Sequence, residues 1–135
     1  MYYRLMETHI DPVRLALIEA YLDAYNRFDI EGMLATLSDD VRFEHHSGGQ
    51  VSVATDGKGD LEKLARVGAA MFASRQQSVV ALEEVGDMVV ATIDFHGEIA
   101  EDIPDGPRAG TVIEMQGSAE FGFSGDRICR VVDKA

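Results

Sequence analysis

Basic residues are scarce in this chain: twelve Lys and Arg stand against 24 Asp and Glu, giving a formal charge of −12 over 135 residues. Phosphate backbones and anionic bilayers repel such a surface, so nucleic-acid and membrane partners are excluded. Cysteine occurs once, at Cys129, which rules out an intrachain disulfide. No apolar run approaches the ~18–20 residues of a spanning helix, and the opening MYYRLMETHID lacks the apolar stretch and cleavage site of a signal peptide. A cytoplasmic location is therefore expected. What is present suits a folded domain: 46% apolar residues build a core and 27% charged residues cover it. The length leaves room for one core, so residues 1–135 read as a single domain.

The hydrophobic period separates helices from strands. Asp11-Pro12 is a helix start, followed by Leu17, Ile18, Tyr21, Leu22, Tyr25 and Phe28 at spacings of three and four, which turns Tyr21 and Tyr25 inward. Asp29 caps a short second helix to about Leu37. From Val41 the period becomes two: Val41, Phe43 and His45 share one face, and His46 takes the other. Ser47–Gly59 reads as a long loop with, at most, a short strand at Val51–Val53. A third helix is expected from Asp60 to about Ser74, burying Leu61, Leu64, Val67, Ala70 and Met71. Ser78–Val85, the Gly86-Asp87 turn and Met88–Ile99 form a hairpin, after which Pro104 and Pro107 interrupt pairing. Thr111–Phe123 alternates strictly, and Arg127–Asp133 closes a meander. The order predicts an α+β domain with helices on one face of a curved, mainly antiparallel sheet.

Two stretches carry a family likeness. AYLDAYNRFDIEGMLATLSDDVRFEHHSGG, Ala20 to Gly49, resembles the opening of the nuclear transport factor 2-like superfamily, which includes ketosteroid isomerase and the SnoaL-like cyclases. FGFSGDRICRVV, Phe121 to Val132, is similar to its closing hairpin. The resemblance implies a cone-shaped, cystatin-like α+β fold with three N-terminal helices. It places Tyr21 at the isomerase's oxyanion-hole tyrosine and His45 where the isomerase carries its Asp base. The later strand acid of the family falls on Ala119, which can donate nothing. A two-donor oxyanion hole of that form is therefore missing.

The candidate catalytic residues are His45 as base and Tyr21 as hydrogen-bond donor, and the candidate ligand contacts are Tyr25, Phe28, Phe43, Met115, Ala119 and Phe121. Imidazole accepts protons near neutrality, and a phenol aimed at a developing enolate stabilises charge that exists only in the transition state. A His45 bonded to backbone and tyrosines packed in the core are the structural alternatives. No metal and no cofactor are expected, since adjacent His45 and His46 face opposite ways. Two functions remain open: a cofactor-independent isomerase, cyclase or dehydratase acting beside a carbonyl, or a non-catalytic ligand-binding or dimerisation module. The expected ligand is small, apolar and neutral, because Val41–His45 and Ile113–Phe123 place no carboxylate on the pocket face. The polar face with Thr92, Gln116 and Ser118 is the expected homodimer surface.

Overall fold

A computed structural model describes residues 10–135; the opening MYYRLMETH, and with it the leader reading, lies outside the described residues. Three helices and six strands follow in the order α1 (Pro12–Asn26), α2 (Ile30–Ala35), β1 (Leu37–Ser47), β2 (Gln50–Asp56), α3 (Lys58–Met71), β3 (Phe72–Val85), β4 (Met88–Ile99), β5 (Val112–Ser124) and β6 (Arg127–Lys134). They form one α+β fold. The strands make a single sheet in the order β2-β1-β6-β5-β4-β3. Only β1 against β6 is parallel; the other four pairings are antiparallel.

Local chemistry explains the helix ends. Pro12 sits in the first turn of α1, where its missing N–H is no loss. The Asp29 carboxylate accepts the Gly32 backbone N–H at 2.9 Å and caps α2. Between the two helices Phe28 adopts φ +59°, with its N–H donating to the Tyr25 carbonyl at 3.1 Å and that of Asp29 donating to Ala24 at 2.8 Å. This is a Schellman closure made by a phenylalanine, where glycine is the usual choice and a side chain costs about 1 kcal/mol.

Several boundaries differ from the sequence pattern. β2 is a full strand, because Gly48 and Gly49 at positive φ close a tight hairpin onto β1. α3 starts at Lys58 and gives way at Phe72 directly to β3, with no intervening loop. It buries Leu61 fully, while Val67 and Met71 stay exposed, since the helix lies at the rim of the sheet. The core joins Ile18, Tyr21 and Leu22 of α1 to Phe43, Val89, Phe121 and Val131 on the inner sheet face.

One glycine holds the end of β6 in place. A Cβ at Gly117 would run into the backbone oxygen of Lys134, which no rotamer change relieves. Gly117→Ala is expected to destabilise by about 1–3 kcal/mol and to loosen the last turn of the β5–β6 ladder. Thermal denaturation together with amide exchange at Lys134 and Ala135 checks it; an unchanged melt and unchanged protection would show that the strand end yields freely.

Candidate active site at the inner sheet face

The β1–β6 and β5–β6 registers bring three positions into one row. His45 pairs with Asp133 across the parallel ladder, and Asp133 pairs with Ala119 across the antiparallel one. Paired residues in register share a face, so all three stand on the inner side with Phe43, Val131 and Phe121. The acid missing at Ala119 is thus present one strand away.

Asp133 faces the tyrosines of α1. Burial pushes its carboxyl from 3.8 up to about 7, so near neutrality it carries a proton much of the time. Tyr21, 5% exposed, is held well above the ordinary phenol range, first by burial and then by the charge of Asp133. Tyr25 is raised by burial, a shift opposed by the Arg75 charge and reinforced by Asp133. Both hydroxyls therefore remain protonated donors. Tyr21 is further fixed by Phe121, whose ring meets it edge-on at 5.9 Å and 79°.

Arg75, on β3, closes the other end of the tyrosine row. Its Nε donates to the Tyr25 carbonyl at 2.9 Å, at the C-terminus of α1, where a cation suits the helix dipole. Its guanidinium carbon stands 3.7 Å from the Tyr25 ring centroid and 4.5 Å from that of Phe28. Asn26 locks this corner: it donates to the Gln77 carbonyl at 3.1 Å and accepts the Gln77 N–H at 2.8 Å.

A model of the SnoaL-like domain matches residues 18–131. The chain belongs to the SnoaL-like domain family. Solved structures agree on the fold of this SnoaL-like chain. A candidate polyketide cyclase from Xanthomonas campestris pv. campestris is 24% identical with a TM-score of 0.77, covering 91% of this chain and 90% of its own. A candidate SnoaL-like polyketide cyclase from Jannaschia sp. CCS1 is 15% identical with a TM-score of 0.78, over 93% and 87%. A protein of ketosteroid isomerase-like fold from Catenulispora acidiphila DSM 44928, in complex with trimethylamine, is 15% identical with a TM-score of 0.72, over 87% and 82%. No protein with a curated description matches.

The SnoaL-like fold gathers some of the expected site residues and disperses others. His45, Tyr21, Tyr25, Phe43 and Ala119 belong to the row or border it, and Phe28 backs its Arg75 end. Phe121 has no exposed surface and packs edge-on against Tyr21. Met115 is 42% exposed and pairs with Phe95, well along β5 from Ala119. It lines a surface groove of about 450 Å³ with Asp94, His96 and Glu114. A second groove of about 540 Å³ lies between α1 and β3, and neither is lined by Tyr21, Tyr25, Arg75 or Asp133. Among the described residues no helix is long and apolar enough to cross a membrane.

Two functional candidates escape the sequence reading. Asp133 has a signal: it follows Cys129 and Val131 at period two, on the face of a fully buried Val131. Arg75 has none, because the α3 pattern runs on to Ser74 and leaves Arg75 in what reads as a junction.

Proposed function

We propose that this protein is a cofactor-independent acid–base catalyst, an isomerase, cyclase or dehydratase, that moves a proton beside a carbonyl of a small ligand. The observation that supports it most is the position of Asp133, between His45 and Ala119 in the sheet and facing Tyr21. Ketosteroid isomerase pairs a tyrosine with a protonated aspartic acid at its oxyanion hole. In this reading Tyr21 of helix α1 and protonated Asp133 of strand β6 supply the same pair of donors.

In this reading His45 takes the proton from the carbon next to the carbonyl. The C–H electron pair moves into an enolate, and its oxygen receives hydrogen bonds from Tyr21 and Asp133. The imidazolium then returns the proton to carbon, either at the original atom or at a conjugated one. Binding of an apolar ligand displaces water from Asp133 and favours its protonated, donating form further. The complex of the Catenulispora protein with trimethylamine supports a small-molecule-binding role for this fold. A homodimer, placed on the outer sheet face around Thr92, Gln116 and Ser118, is part of the same proposal.

Exchange of α-hydrogens for deuterium, followed by NMR on a panel of small cyclic ketones, tests the chemistry. His45→Ala and Tyr21→Phe are each expected to slow exchange about 100-fold. A wild-type protein that exchanges none of the panel, or variants that match it, would instead support the non-catalytic binding module.

A further inference from the structure

Arg75 is 6% exposed, and its Nη2 is buried without an acceptor in hydrogen-bond geometry among the described residues. Its Nε is satisfied by the Tyr25 carbonyl, and its guanidinium lies against the Tyr25 hydroxyl and over the Tyr25 and Phe28 rings, yet Nη2 keeps no acceptor of its own. No ion pair links Arg75 to a carboxylate among the described residues. A buried cation normally has an acid beside it, because removal from water costs several kcal/mol. Two ring faces and one helix carbonyl recover only a part of that.

The surroundings are built to hold the group where it is. Phe28 keeps an unfavourable left-handed backbone, and its ring lies under the guanidinium. The paired Asn26–Gln77 hydrogen bonds tie the end of α1 to β3 two residues beyond Arg75. Strain and polar fixation concentrated around an unpaired buried donor are features of a ligand clamp. Tyr21 and Tyr25 lie one helical turn apart, so Arg75 stands roughly 6 Å further along α1 than the Tyr21–Asp133 pair.

We propose that Arg75 binds an anionic oxygen of the ligand, so that the protein takes a monoanion, a cyclic or aromatic keto acid or its enolate, in place of a neutral apolar compound. The Nη2–H donates to the anion, and the carboxylate lies at the opposite end of the ligand from the carbonyl held by Tyr21 and Asp133. The negative shell of the protein does not oppose this, since the groups facing the ligand are two phenols, the imidazole of His45, an acid that burial keeps protonated up to about 7, and this cation. The assignment deepens the proton-transfer reading and rests on it for the placement of the ligand. It departs from the expectation of an uncharged ligand.

Binding is therefore measured without turnover, with benzoate and its uncharged isostere benzamide as probes. Wild-type protein is expected to bind benzoate at least ten times more tightly than benzamide, with Arg75→Met losing that preference and Arg75→Lys keeping part of it. Benzoate should also shift the Arg75 guanidinium ¹H–¹⁵N resonances of the wild-type protein, a readout that survives if Arg75→Met fails to fold. Equal affinity for the two probes, no binding of either, or a benzoate preference that persists in a folded Arg75→Met would overturn the assignment. Ketone exchange lost with benzoate binding intact sinks the proton-transfer reading alone. Benzoate binding lost with exchange intact sinks the anion clamp alone.

Discussion

Replacing Asp133 by Leu is expected to lower α-proton exchange about 10²–10³-fold, whereas Asp133→Asn is expected to keep it within about tenfold of wild type. The contrast follows from the role assigned to the group. A protonated acid donates one hydrogen bond, and an amide N–H does the same, while Leu donates nothing. The pH dependence separates this from a base. Wild-type exchange is expected to fall as pH rises through about 7, where the Asp133 carboxyl loses its proton. Asp133→Asn lacks that alkaline fall. His45, at the adjoining β1 position, and Tyr21 and Tyr25, from α1, are the titratable groups that face or adjoin it. An Asp133→Asn variant as inactive as Asp133→Leu would make Asp133 the base and remove its donor role.

The same substitution changes stability in a definite direction. The native carboxyl keeps its proton up to about 7, while the unfolded one releases it near 3.8. Between those values the native state binds more protons than the unfolded state, so stability falls as pH rises and is lowest above 7. The full shift would amount to about 4 kcal/mol. Because Asp133 keeps some exposed surface, about 1–2 kcal/mol is the realistic share. Asp133→Asn is thus expected to raise Tm by about 3–8 °C at pH 8 and to leave it unchanged at pH 4. Equal melting of the two proteins at pH 8 would show that Asp133 is solvated in the native state.

Phe121→Ala is expected to cost about 3–5 kcal/mol, the largest loss from any single truncation on the inner face. The side chain is wholly buried, so the deletion leaves a void between α1 and the sheet. It also removes the edge-on contact that fixes Tyr21. Against a typical domain stability of about 5–15 kcal/mol, such a loss brings the protein close to unfolding. Urea denaturation should show a lower midpoint with the same slope, and Phe121→Leu should recover more than half of the difference. A cost below about 1 kcal/mol would mean that the helices collapse onto the sheet without Phe121.

These two residues also show what the sequence makes legible. Phe121 follows a strict alternation in β5 and faces the core as that pattern requires. The helix starts at Pro12 and Asp29, the Gly86-Asp87 turn and β4 likewise follow from local chemistry. The pairing of strands does not. Asp133 enters the site because β6 lies between β1 and β5, and a parallel pairing of distant segments leaves no local trace. Its place near the end of β6 makes it look like one more solvated acid in an acidic chain. Arg75 is hidden for a different reason: α3 passes into β3 without a break, so a helical period is read through a residue that is already strand. His45 is visible from the start because a histidine beside Val41 and Phe43 breaks an apolar face.

The place of β6 in the middle of the sheet also has a bearing on time. Tyr21 and His45 come from the first third of the chain, and the acid beside them comes from the last strand. Contacts between distant segments are slow to form, because closure of the long loop between them must precede any gain. Until β6 docks, β1 with His45 is not joined to the β5-β4-β3 part of the sheet, and Asp133 is absent from the row. Under the proposed mechanism, a chain in which β6 has not yet paired with β1 and β5 lacks the acid donor and is inactive.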